Sequence, residues 1–134
     1  MLKLSKKIEY GLIAIRHIAI NGQHSVVTAK EIADKNLLSF ELLSKVLQML
    51  VKSKIISSTQ GMHGGYNLIM KPDEISLLNV IQAIDGTAQG IVDCIASGID
   101  SCSIQNTCTI KSPLIKVQQN LNEQFYSMKI SQII

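Results

Sequence analysis

Apolar residues near the start of the chain recur at Ile8, Leu12, Ile15 and Ala19, the stripe of an amphipathic helix rather than the alternation of a strand. Ser5 stands where an N-cap belongs, and Asn21-Gly22 where such a helix stops. A second, short helix opens at Thr28-Ala29-Lys30-Glu31, where Thr28 and Glu31 have the spacing of a capping box, and ends near Asn36. Ser39 caps a third, which carries Phe40, Leu43, Val46, Leu47 and Leu50 inward. Its other face holds Glu41, Ser44, Lys45, Gln48 and Lys52.

The pattern then changes period. Ile55 to Thr59 and Tyr66 to Met70 are β-favouring runs. Between them, Gln60-Gly61-Met62-His63-Gly64-Gly65 supplies glycines for a tight loop. Three helices followed by a glycine-tipped hairpin is the order of a winged helix-turn-helix. A fourth helix runs from Ser76 to about Asp85, with Leu77, Val80, Ile81 and Ile84 as its stripe and Gly86 as its stop. Residues 86–111 show no period, and 26 residues is long for a connection. Ser112-Pro113 restarts a helix whose stripe is Leu114, Val117, Leu121, Phe125 and Met128. With no later element to cover it, that stripe is expected to pack against a second copy of itself, the other choice being a fold back onto the chain's own core. The expected class is mainly α with a small β-wing. Residues 1–85 are expected to form a winged helix-turn-helix DNA-binding domain, 86–111 a cysteine loop, and 112–134 a dimerisation helix and tail.

Charge adds a direction. Residues 1–72 hold 10 Lys and Arg against 4 Asp and Glu, a balance of +6, while residues 73–134 hold 3 against 6, a balance of −3. A basic half beside an acidic half fits a polyanion partner for the first only. Composition is that of a folded protein, 46% hydrophobic and 17% charged, with aromatics at 4% and no Trp, so aliphatic side chains must build the core. No run reaches the ~18 apolar residues of a membrane span. Arg16 and His17 interrupt the early apolar run that has the look of an export signal, so a cytoplasmic protein is expected.

Base edges in a major groove reward short polar side chains on an inserted helix, and phosphates reward lysines. The groove-facing candidates are therefore Thr28, Ser39, Phe40, Glu41, Ser44 and Lys45, with Gln60, His63 and Gly64 on the wing and Lys3, Lys6, Lys7, Lys30 and Lys35 as positioning charges. The second constellation is Cys94, Cys102 and Cys108, spaced C-x7-C-x5-C in a Gly- and Ser-rich loop. Thiolates ligate soft metals, and no histidine follows to close a zinc tetrahedron, so three sulfurs and a ligand from elsewhere suit an iron–sulfur cluster. Reversible pairing of Cys102 with Cys108, and simple free thiols, stay open as alternatives. Asp85, Asp93 and Asp100 share this region, but nothing sets a base beside a nucleophile, so no enzyme is expected.

The Leu2-to-Tyr10 opening, the Gly61-Met62-His63-Gly64-Gly65-Tyr66-Asn67-Leu68 wing, and Val80-to-Gly86 ahead of three cysteines resemble the IscR/NsrR-type bacterial transcription regulators, with the SUF iron–sulfur assembly branch nearest. The resemblance runs over roughly residues 2–125. It implies a cytoplasmic homodimer that binds palindromic double-stranded promoter DNA, including promoters for iron–sulfur assembly. It also implies an iron–sulfur cluster, [2Fe-2S] ahead of [4Fe-4S], on Cys94, Cys102 and Cys108. Some members take a fourth ligand from a histidine three residues past the last cysteine, where this chain has Lys111. Others use an acidic residue of the partner's first helix, which points to Glu9 of a second copy. Gln60 stands where many relatives have a wing arginine, and Ser44 where some have a glutamate that tunes base preference. The competing class is a winged-helix protein-interaction module that holds a partner enzyme on its last helix.

Overall fold

The computed structural model describes residues 3–86, 90–96 and 102–134. Leu2 of the opening motif and Asp100 lie outside the described residues, as do two stretches of the cysteine loop. Helix α1 spans Lys6–Asn21, α2 Ala29–Asn36 and α3 Phe40–Lys52. Strands β1, Ile56–Thr59, and β2, Gly65–Leu68, follow, then α4, Leu77–Asp85, the single turn α5, Asp93–Ala96, and α6, Lys111–Ser127. A 3-10 turn, Ile130–Gln132, ends the chain.

Side-chain caps set the helix starts where the sequence places them. Ser5 Oγ accepts from the Ile8 amide, Ser39 Oγ from Leu42, and Ser76 forms a complete capping box with Asn79. Thr28 makes only half of the expected box. Its hydroxyl accepts from the Glu31 amide at 3.1 Å, but the Glu31 carboxylate turns to His17 and Lys35 instead. A hydrogen bond from a buried imidazole of another helix outcompetes one to an exposed local amide.

The core sits between α1, α3 and α4. Leu43, Val46, Leu47 and Leu50 of α3 are fully enclosed, and Leu77, Val80, Ile81 and Ile84 of α4 are buried as their spacing predicts. Phe40 departs from its expected inward place and is 56% exposed. It is the first residue of α3, where the chain enters from solvent and no neighbouring element covers it. The α1 stripe is also rotated. Gly11, Ala14, Ile15 and Ile18 are buried, whereas Leu12 and Ala19 are only half-buried. Gly11 explains the shift: a Cβ built there would lie 3.5 Å from Val46 and 3.6 Å from Val80, so α1 presses this residue onto α3 and α4 together.

Strands β1 and β2 pair antiparallel, with Ser58 opposite Tyr66, and an isolated bridge adds Val27 to Tyr66. The hairpin is thereby tied to the residue that precedes the α2 cap, through Val27 N–H to Tyr66 O at 3.0 Å and the reverse bond at 2.8 Å. Gly65 permits this approach, since a Cβ there would stand 2.8 Å from the Val27 carbonyl oxygen. Gly65→Ala is expected to push the strand off Val27 and cost about 1–3 kcal/mol, read as a lower urea midpoint.

The region after Gly86 contains α5 and a run of turns at 103–107. Helix α6 begins at Lys111, one residue before Ser112, and does not stand alone as its isolated stripe implied. It packs on α4, and Phe125 joins the core. Leu114 and Leu121 are half-buried, while Val117 and Met128 remain exposed. The tail then folds back: Leu77 N–H bonds Met128 O and Ile130 N–H bonds Ile75 O, both at 2.9 Å, and Ile130 is 1% exposed. Among the described residues, no helix is long and apolar enough to cross a membrane.

Candidate functional site

The turn between α2 and α3 is built by unusual backbone. Leu37 closes α2 in the left-handed region at φ 53° and is 93% exposed, after which Ser39 caps α3. Tyr10 of α1 holds that cap. Its buried hydroxyl accepts the Ser39 N–H at 3.2 Å, so the entry of α3 is pinned from behind by the first helix. The sequence signal for Tyr10 was an aromatic with a polar tip on a helix that faces the core. Ser39, Phe40, Glu41 and Lys45 lie exposed at this turn and the start of α3, and Thr28 is exposed at the other end of α2. Ser44 is half-buried and donates to the Phe40 carbonyl at 2.8 Å, leaving its oxygen free to accept. Glu41 and Lys45 pair along the helix at 3.5 Å, a weak solvent-exposed pair. On the wing, Gln60, Met62 and His63 are exposed, with Met62 at 96%. Gly61 takes φ 106°, and the Gly64 N–H closes the tip on the Gly61 carbonyl at 3.1 Å.

His17 joins α1 to α2 beneath this surface. Asn36 Nδ2 donates to Ile32 O at 2.9 Å and lies 3.2 Å from His17 Nδ1, so that nitrogen accepts and Nε2 donates to Glu31 at 3.1 Å. The hydrogen bond from His17, helped by Lys35 and opposed by partial burial, holds the Glu31 carboxyl below its usual value. A depressed folded-state pKa contributes stability above the unfolded-state value and loses it as pH falls through the folded one. The protein is therefore expected to lose stability below about pH 4.3, and Glu31→Gln to flatten that acid limb in urea titrations at stepped pH.

The three cysteines come from different places and border one hollow. Cys94 lies on α5 and Cys102 and Cys108 flank the turns that precede α6, yet all three line one small hollow with Gln105 and Lys111. Each is an unpaired, half-buried thiol. Among the described residues, no three His, Cys, Asp or Glu side chains are close enough together to hold a metal ion as they stand. The donor set nonetheless has the chemistry of a soft-metal or iron–sulfur site, being all sulfur and free of disulfides. Glu9 is elsewhere. It pairs with Lys6 at 2.9 Å and lines a separate cavity of about 660 Å³ between the start of α1, α4 and α6. Gln118 of α6 borders that cavity and accepts the Ile91 N–H at 2.8 Å, which fastens the entry of the cysteine segment to α6.

Comparison with known proteins brings one family forward: Rrf2, described as an iron-dependent transcriptional regulator, matches residues 4–134. The chain belongs to the Rrf2 family. Rrf2 members similar to it include the Rrf2 protein of Nitratidesulfovibrio vulgaris, 34% identical over 84 residues, 63% of this chain and 56% of that one. IscR of Aliivibrio salmonicida is 33% identical over 84 residues, 63% of this chain and 50% of its own. NsrR of Shouchella clausii is 26% identical over 113 residues, 84% of this chain and 75% of its own. The chain thus spans about half the length of two of these relatives. Among solved structures, T. potens IscR superposes with a TM-score of 0.74 at 25% identity, covering 98% of this chain and 85% of that one. CymR of B. subtilis gives 0.74 at 23%, covering 99% and 96%, a likeness of fold. The Rrf2 relatives are transcription regulators, not enzymes.

Proposed function

We propose that this Rrf2-family chain is a homodimeric regulator that binds double-stranded promoter DNA and tunes that binding through an iron–sulfur cluster on Cys94, Cys102 and Cys108. The convergence of three thiols on one hollow carries the reading. The expected groove contacts are Ser39, Phe40, Glu41, Ser44 and Lys45 on α3 with Thr28 at the α2 cap, and Gln60, His63 and Gly64 on the wing. Glu9 of a second copy is the proposed fourth ligand, and to serve it must leave Lys6. When bound, the cluster supplies a link between the three thiolates that forms or breaks with iron supply and redox state.

The chain's own parts do the rest. Cys108 lies three residues before Lys111, and α6 carries any shift of the hollow toward α4. Helix α4 packs on both α1 and α3, and Tyr10 of α1 fixes the α3 entry. Coupling between cluster and DNA is reciprocal, so operator DNA is expected to change cluster retention as much as the cluster changes DNA affinity. Anaerobic iron and sulfide counting beside promoter binding tests the proposal; a colourless protein that binds its promoter fully removes the sensing half.

A second reading replaces the cluster by thiol oxidation. The observation in its favour is that the described thiols are not gathered to ion-holding separation. Two thiols, Cys102 and Cys108, would then give up two protons and two electrons to an oxidant such as a peroxide. Iron counting separates the two readings. Either one predicts that DNA affinity falls by orders of magnitude between roughly 50 and 200 mM salt, because lysines displace phosphate counterions. A slope near zero in a salt titration would favour a protein-interaction module instead.

A further inference from the structure

Besides the three cysteines and Gln105, the thiol hollow is lined by Lys111, the first residue of α6. That is an unfavourable place for a cation. The start of a helix carries unsatisfied amides and a positive dipole end, and it prefers acidic side chains or a side-chain cap. Here Ile110 provides no side-chain cap and the first turn of α6 contains no acid. Among the described residues, the other four helices of eight or more residues each begin on a Ser or Thr whose side chain accepts an amide. A lysine and an uncapped helix start therefore border the same hollow as the three sulfurs, with nothing negative among the described residues that line it.

We infer that Lys111 is the charge partner of whatever anion the three sulfurs form, and that it sets the reduction potential of the bound cluster. This rests on the cluster reading given above. Three thiolates around iron and sulfide make a net negative assembly, and one-electron reduction adds a further negative charge to it. A fixed ammonium beside it favours the reduced state more than the oxidised one and so raises the potential. Lys111 acts through charge, as a positioning residue rather than a ligand, which is why arginine is expected to substitute for it and glutamine is not.

The test uses the full-length protein reconstituted anaerobically with ferrous iron and sulfide, as wild type, Lys111→Gln and Lys111→Arg. Iron and sulfide per chain, the visible spectrum and the midpoint potential from a dye-mediated reductive titration are read for each. Lys111→Gln is expected to bind iron like wild type but to shift the oxidised-to-reduced ratio at fixed potential about tenfold toward oxidised, about 59 mV lower for one electron. Lys111→Arg is expected to restore the wild-type potential. Iron-loaded wild type and Lys111→Gln with the same potential overturn this inference and leave the cluster reading intact. The same holds if arginine and glutamine lower the potential equally, since the effect is then one of shape. Wild type that takes up no iron removes the cluster reading itself, and this inference with it.

Discussion

Alanine in place of any one of Cys94, Cys102 and Cys108 is expected to reduce iron retention by at least about 100-fold. That is the upper end of what losing an outer partner of a metal site costs, and these residues are the proposed ligands themselves. Each variant is also expected to change promoter occupancy, because the linkage between cluster and DNA runs both ways. The helices should be untouched. The cysteines are half-buried side chains outside the core formed by α1, α3 and α4, so the urea midpoint is expected to move little. Iron and sulfide analysis with a promoter-binding titration on each variant checks this. Iron content and occupancy that both stay at wild-type levels would end the cluster proposal, whereas lost iron with unchanged occupancy would separate cluster binding from regulation.

The second large effect is at the other end of the last helix. Ile130 is fully enclosed although it lies only four residues before Ile134, and its amide is bonded to Ile75. Ile130→Ala is expected to cost about 2–5 kcal/mol, a large share of the roughly 5–15 kcal/mol that holds a domain together. Ile133, exposed on the same tail, serves as the control, and its alanine variant is expected to stay within about 0.5 kcal/mol. Urea unfolding followed by far-UV circular dichroism reads both. Equal and small effects would show that the tail is not fastened in solution.

These two sites mark how legible the chain was. The starts of α1, α2, α3 and α4 could be read because each carries a Ser or Thr whose side chain satisfies an orphan amide, a local interaction written in the local sequence. The wing could be read because its glycines and β-branched runs are also local. What escaped depends on distant partners. Glu31 obeys the local pattern of a capping box, but His17, fourteen residues earlier, claims its carboxylate. The rotation of the α1 face follows from Gly11 meeting two helices that come later in the chain. The tail's return to residues 72–77 carries no periodic signal, because one isoleucine and three backbone hydrogen bonds accomplish it. At the thiol site, residue type and loop character were readable from spacing. That Gln105 and Lys111 share the hollow was not, since it needs the turns at 103–107 to bring them round.

The fastening of the tail has a mechanical corollary. Helix α6 has 17 residues, so it is a rod about 25 Å long. Its far end is riveted to the start of α4 by the Leu77–Met128 and Ile75–Ile130 bonds, while its near end borders the sulfurs. A rod fixed at one end is expected to tilt rather than slide when the other is nudged, and the helix it would press on, α4, also packs on α1 and α3. Cutting the chain after Ser127 is expected to remove both bonds and leave α6 in place with its far end unfastened.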